Sequence, residues 1–174
     1  MPGHYVSREL PAGEASMILG IVEKVVDVSI DTFGDQEGWE FSFGSVFCLL
    51  EAATKLPFLR VDVALVRNDQ REEFHRLVME KAVRLADNAS VIGRSSSSFQ
   101  TRNPEKNQLG GAIATQHFIF SFGGGLPELG CEAAALVVAV KTVELEDWEA
   151  KTIAQSSENP YFERLLREVE KWDK

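Results

Sequence analysis

Phe118-Ile119-Phe120-Ser121-Phe122-Gly123-Gly124-Gly125-Leu126-Pro127-Glu128 is the stretch on which the fold turns. Residues two apart in a strand share a face. Thr115 to Phe122 therefore reads as a strand with Phe118, Phe120 and Phe122 on one face and His117, Ile119 and Ser121 on the other. Three glycines follow, then Pro127 and Glu128. Glycine has no Cβ, so its backbone reaches positive φ and lets a ligand or another strand come close. The turn is thus either a binding edge, with N–H groups free to meet a carboxylate, or a sharp structural corner.

Downstream, Ala133 to Val143 is an almost unbroken apolar run rich in valine, the pattern of a central strand covered on both faces. Glu144 to Ser157 reads as a helix carrying Trp148 and Ile153. Asn159-Pro160 then suits the start of a last helix, with Tyr161, Phe162, Leu165, Leu166, Val169 and Trp172 as its apolar stripe. Upstream, Met17, Ile18, Ile21, Val22, Val25 and Val26 mark a helix from Pro11 to about Ile30. Gly34 to Gly38 breaks it. A second, short helix is expected over Phe43 to Lys55, and a strand over Leu59 to Leu65. A helix capped by Asn68 or Asp69, with Phe74, Leu77, Val78, Ala82 and Leu85 at helical spacing, runs to near Asn88. Residues 95–112, opening on Ser95-Ser96-Ser97-Ser98, read as a long exposed polar loop. The expectation is one α/β domain over residues 1–174, with α+β as the close alternative: a small sheet covered by several helices.

Composition narrows the partners. The 174 residues are 44% hydrophobic, enough for one sizeable core, with a net charge of −9 and a pI near 4.9. Acidity of this degree disfavours phosphate backbones and anionic membranes, so neither nucleic acid nor a membrane is expected as a partner. No apolar run approaches the roughly 20 residues of a membrane span. Met1-Pro2-Gly3-His4-Tyr5 lacks the basic and apolar regions of a signal peptide. Cys48 and Cys131 are too few for a disulfide framework, and a reducing cytoplasm is the default expectation. Cys48 reads as a small buried hydrophobe; Cys131 is a reactive thiol only beside a cation.

Few constellations carry chemistry. No Gly-Lys-Ser/Thr follows the glycines, and a strand rather than a helix is expected next, so neither nucleotide fingerprint is present. Glu128 and Glu132 flank the turn as a candidate acid/base or cation-binding pair, against the alternative of two solvated carboxylates. His117, among phenylalanines, is a candidate haem ligand; His75 lies on the helix after Asn68. No spacing supplies a zinc site, and no Gly-x-Ser-x-Gly elbow supports a serine triad. Lys81 is a candidate partner for a ligand carboxylate, against a surface ion pair with Glu80.

Three segments resemble the GlcG/HbpS-type haem-binding (haem-degrading) domain family, including its cytoplasmic fungal-type branch. They are Met79-Glu80-Lys81-Ala82, then Arg94-Ser95-Ser96, and Phe122-Gly123-Gly124-Gly125-Leu126-Pro127 followed by Glu132 to Val140, Glu146-Asp147 and Ala150 to Ala154. The family places a hairpin before the Lys-Ala helix, where one strand is visible here, and a Ser-Gly exit where Val140-Lys141-Thr142 stands. The resemblance implies a sheet-and-helix domain, symmetric oligomers, and binding of haem or another small ligand. Three functions stay open. One is a ligand-binding oligomer using Lys81, Gly123, Gly124, Gly125, Pro127, Glu128 and Glu132. The second is a non-catalytic homo-oligomeric assembly protein, built on the aromatic strand and the last helix. The third is an enzyme using Glu128, Glu132 or Cys131.

Overall fold

A computed structural model describes residues 5–6, 12–40, 44–64, 66, 68–92 and 97–174. They form one α/β domain around a five-stranded, wholly antiparallel sheet. The strands are β1 (Tyr5–Val6), β2 (Ser45–Glu51), β3 (Pro57–Val63), β4 (Ala112–Ala114) and β5 (Phe118–Gly124), in the spatial order β1-β3-β2-β5-β4. The helices are α1 (Ala12–Phe33), α2 (Asn68–Ile92), α3 (Glu128–Lys141), α4 (Asp147–Ser156) and α5 (Phe162–Trp172). No helix among the described residues is long and apolar enough to cross a membrane. Pro11, Leu65 and the Arg94–Ser96 part of the family-like segments lie outside the described residues.

Two apolar runs exchange the classes expected of them. Ser45–Glu51, expected inside a helix, is the central strand β2, paired to β3 and to β5. Phe47 and Leu49 enter the main core on one face, while Val46, Cys48 and Leu50 pack beneath α2 on the other. Burial on both faces removes the alternation that marks a half-exposed strand. Ala133 to Val143, expected as a central strand, falls mostly within α3. Every residue of α3 from Gly130 to Ala139 is buried, because the sheet, α1, α4 and α5 surround the helix. A helix enclosed on all sides is apolar on all sides.

The sheet has unequal covers. α1, α3, α4 and α5 build the main core on the face carrying Phe120 and Phe122. α2 covers the other face alone, over Ile119, Ala112 and Ala114. The last helix is stripe-in: Phe162, Leu165, Leu166 and Val169 are buried. The segment expected as a wholly exposed loop is partly internal, since Ser97, Ser98 and Gly110 to Ala112 are buried. Two short 3-10 turns, Ser98–Thr101 and Pro104–Lys106, fold it back so that Ile113 can pair with Ser97.

α3 ends in a paired-bond cap: Val143 N–H donates to Val140 (3.0 Å) and Glu144 N–H to Ala139 (2.9 Å). This geometry normally places glycine at the left-handed residue. Here Val143 holds φ +63° with 84% of its surface exposed, so a β-branched side chain adopts a costly conformation and packs on little. Val143→Gly is expected to raise the free energy of unfolding by about 1 kcal/mol in urea titration. A loss of stability would show that the side chain makes an unseen compensating contact.

Candidate functional site

α2 carries Lys81 into the interior, where the residue is only 3% exposed. Part of the space for its long side chain comes from the missing side chain of Gly111, just before β4: a Cβ there would stand 2.8 Å from Lys81 Nζ and 2.5 Å from Cys131 Cβ, whereas one on Gly123 would collide with Val78 Cγ2 at 2.5 Å and only touch Nζ at 3.8 Å. Gly111 also holds φ +116°. Lys81 Nζ donates to the carbonyl of Gly110 at 3.0 Å, its one hydrogen-bond acceptor among the described residues. An ammonium has three donors, so its hydration is only partly replaced. Burial accordingly pulls the Lys81 pKa down from its ordinary 10.5, against the raising influence of Cys131 and Glu128. Burial likewise pushes the Cys131 thiol up, opposed by the Lys81 charge.

The segment over Lys81 is tied down by charge. Glu128, at the start of α3, accepts from Gly110 N–H at 2.9 Å and pairs with Arg102 at 2.9 Å. Arg84, one turn beyond Glu80 on α2, pairs with that carboxylate at 3.2 Å and donates to the carbonyl of Leu109. Residues 102–111 thus form a strap across Lys81 and Cys131, pinned by Arg84 on one side and Glu128 on the other.

Glu132 lies one turn after Glu128 but serves a different place. Its carboxylate is wholly buried. It accepts from Ser97 Oγ, from Ser157 Oγ at 2.8 Å and from Asn159 Nδ2 at 3.0 Å. Burial pushes its pKa up, and the three hydrogen bonds pull it back. Asn159 also donates to the Leu129 carbonyl at 2.8 Å, while its Oδ1 accepts from Tyr161 N–H (2.9 Å) and Phe162 N–H (3.2 Å). Asn159 therefore receives the N–H groups at the entry to α5, but the helix opens at Phe162 with Tyr161 at its N-cap, two residues later than the Asn-Pro pair suggested, so Pro160 precedes the helix.

The structure brings Lys81, Gly123, Glu128 and Cys131 to one place, and separates Glu132 from them. The glycine turn is spent on backbone packing. Gly125 N–H donates to Gly44 at 2.8 Å and its carbonyl accepts from Glu40 N–H at 2.6 Å. Gly124 holds φ +110° where a Cβ would meet Gly44 O at 2.6 Å. A Cβ on Gly125 would overlap the Glu40 carbonyl. Pro127 immediately precedes α3 and contributes its carbonyl to the first turn. Glu128 and Glu132 have separate partners and do not form an acid/base pair, and Glu132 is no solvated carboxylate.

His117 sits in the exposed turn between β4 and β5 rather than on the strand. Six residues of extended chain, about 20 Å, separate it from Gly123. The phenylalanines expected to wall a haem instead pack against one another and against Phe47 and Phe58. These residues do not fit an axial ligand enclosed in an apolar slot. Among the described residues, no group of three or more His, Cys, Asp or Glu could hold a metal ion. Arg84 of α2 and the strap residues Arg102, Gly110 and Gly111 were not expected in the site; the Gly110-Gly111 pair beyond a polar segment is the signal that marks the strap. No protein-family model, curated protein or solved structure matches the chain.

The two buried polar centres respond differently to substitution. Glu132→Leu leaves Ser97, Ser157 and Asn159 without their acceptor and is expected to cost about 3 kcal/mol or more. Glu132→Gln keeps one acceptor oxygen and costs about 1 kcal/mol; equal losses in urea denaturation would refute the hydrogen-bonding role. For Lys81, the folded pKa lies below the unfolded one. Between those values the unfolded chain binds the extra proton, so this residue makes stability rise with pH. The stability of Lys81→Met relative to the parent is therefore greatest near about pH 7 and declines toward about pH 10. A pH-independent difference would show that Lys81 is not buried as an amine.

Proposed function

We propose that the protein binds a small carboxylate-bearing molecule at Lys81, beneath the strap of residues 102–111. The observation that carries this reading is a buried ammonium with a single carbonyl acceptor. Glu128, whose charge acts on it, is already engaged by Arg102 and Gly110. A desolvated cation with unspent donors gains from an incoming anion far more than an exposed one. Arg84 supplies a second cation one residue back along the strap, at the Leu109 carbonyl. Displacing the Gly110 carbonyl and lifting the strap would admit the ligand. Gly111 would leave room beside the amine.

Two further observations support the likeness to haem-binding domains as a proposal about ligand class. The hairpin missing from the sequence reading is present as β2–β3 ahead of the Lys-Ala helix. The lysine of that element is the buried one. Haem enters this proposal through its propionates, not through His117. Site of action in the cytoplasm is supported by two cysteines that are both free and buried, and the acidic surface argues against nucleic acid as a partner. Homo-oligomerisation rests now on exposed Trp148 and on Trp172, the one exposed member of the expected α5 stripe, because the aromatic strand and Phe162, Leu165, Leu166 and Val169 are used inside the chain.

The test is titration with haemin, followed by absorbance, alongside a thermal-shift series of aliphatic mono- and dicarboxylates. Saturable binding of at least one of these, weakened tenfold or more by Lys81→Met in a folded variant, is the expected outcome. Binding that is indifferent to Lys81→Met, or absent across both series, would sink the proposal.

A further inference from the structure

Five large apolar side chains stand more than half exposed among the described residues: Met17, Leu56, Val143, Trp148 and Trp172. All five lie at one end of the domain. β2 ends and β5 begins there, since Glu51 pairs with Phe118. Leu56 sits in the β2–β3 connection, where its carbonyl accepts from Glu51 N–H at 2.9 Å; Ala52 N–H beside it donates to His117 of the β4–β5 turn at 2.9 Å. α3 runs back along β5, so the α3–α4 link emerges beside these turns, and the His117 charge acts on Glu144 of that link. The link carries Val143, and Trp148 opens α4. α5 runs in the same direction as α3. Asn159 before it meets Leu129 and Glu132 near the start of α3, and Asp173 after it meets Lys141 at 2.6 Å. Trp172 is therefore at the same end. α1 runs the opposite way, with Phe33 against Tyr161 at 5.2 Å and Lys24 against Asp173. Met17, seven residues before Lys24, stands about 10 Å further toward that end.

Two observations indicate what covers this end. The first is charge. Trp148 sits among acids, with Glu146 and Asp147 exposed just before it. Trp172 sits among bases: Lys171 and Lys174 are exposed beside it, and Lys24 and Lys141 share the single carboxylate of Asp173. One tryptophan thus has an acidic surround on α4, and the other a basic one on α5. A surface with both signs set apart matches its own copy after a two-fold rotation, acid on base twice over. An anionic membrane would meet the acidic half unfavourably. The second observation is Val143. A β-branched residue holds φ +63° there while its side chain is bare. Strain of this kind persists where a function uses it, and within one chain the valine side chain gains almost nothing.

We propose that this end is the interface of a two-fold dimer, with the Trp148 half of each copy set against the Trp172 half of the other and Val143 buried in the contact. The proposal rests on the homo-oligomer reading above and assigns its surface; ligand binding at Lys81 is independent of it. Tryptophans supply large, rigid anchors at such interfaces, and charges around them fix the register. The strap over Lys81 is tied to Glu128 at the start of α3, at the other end of that helix, so pairing leaves the strap uncovered.

The experiment is sedimentation velocity of the full chain over a wide range of concentration. A reversible monomer–dimer equilibrium is expected. Trp148→Ser and Trp172→Ser should each weaken it at least about tenfold, and both positions are exposed, so the variants keep the fold. Val143→Gly should weaken association while stabilising the dilute monomer against urea, a pair of opposite effects that a role within one chain would not give. Asp147→Lys should weaken the dimer, and adding Lys171→Glu to the same chain should restore it. The proposal is overturned by a monomer at every concentration, including one that sediments with phosphatidylcholine vesicles instead. It is overturned equally by dimers that neither tryptophan variant weakens, or by charge reversals that do not compensate. A monomer throughout also removes the homo-oligomer reading, whereas dimers indifferent to both tryptophans keep that reading and move the interface elsewhere.

Discussion

The carboxylate of Glu132 is the constraint around which the helical layer is arranged. It lies inside a helix whose neighbours are alanine, valine and leucine, and a bare charge there would cost several kcal/mol. Three donors from three segments make it tolerable: Ser97 just before the Ser98–Thr101 turn, Ser157 from the end of α4, and Asn159 from the α4–α5 link. None of these segments can shift without exposing the charge to an apolar surface. Position is thereby specified more strongly than nonspecific apolar packing would specify it. Asn159 carries the constraint on to α5, because the amide that meets Glu132 also receives, on its oxygen, the N–H groups at the entry to that helix.

Much of this was legible in the residues, and the failures have a common cause. Period 3.6 revealed α1, α2, α4 and α5, and period 2 revealed β3 and β5, since each element has a wet side. The elements without one, β2 and α3, were exchanged. Length and composition separate them: seven residues with Val46, Phe47 and Cys48 suit a strand, while four alanines within fourteen residues suit a helix. The two-residue β1 carries no periodic signal at all. Of the site, Lys81, Gly123, Glu128 and Cys131 were each visible as residues, but their meeting depends on the β4–β5 hairpin returning Gly111 to Phe122. Glu132 was misassigned because carboxylates near glycines are usually wet. Nothing local announces the two serines and the asparagine, distant in sequence, that allow this one to be dry.

The glycines of the chain divide along the same line. Gly124 and Gly125 let the β5 exit cross the chain near Glu40 and Gly44, and their polar groups are consumed there. Gly111 instead removes bulk from around an amine, and Gly123 makes way for Val78 of α2. These uses all follow from the absent Cβ, so a glycine run by itself says only that something comes close. What comes close at Gly123–Gly125 is backbone on one side and the Val78 side chain on the other.

The unequal covers of the sheet give the ionisable groups their distribution. Four helices seal one face, and the one buried carboxylate there among the described residues, Glu132, is engaged by three protein donors. One helix seals the other, and a lone helix about 10 Å across cannot span five strands. Its two flanks therefore meet the sheet at seams. At one seam Lys81 reaches toward Gly110; at the other His75 and Met79 reach toward Asp62 and Cys48. Donors and acceptors at a seam need less movement to reach solvent than those beneath four helices, because only a strap or a side chain must shift. Lys81 Nζ and His75 Nδ1, two incompletely satisfied atoms among the described residues, both lie on α2. Groups able to exchange a protein partner for a ligand therefore belong on this thinner side of the domain.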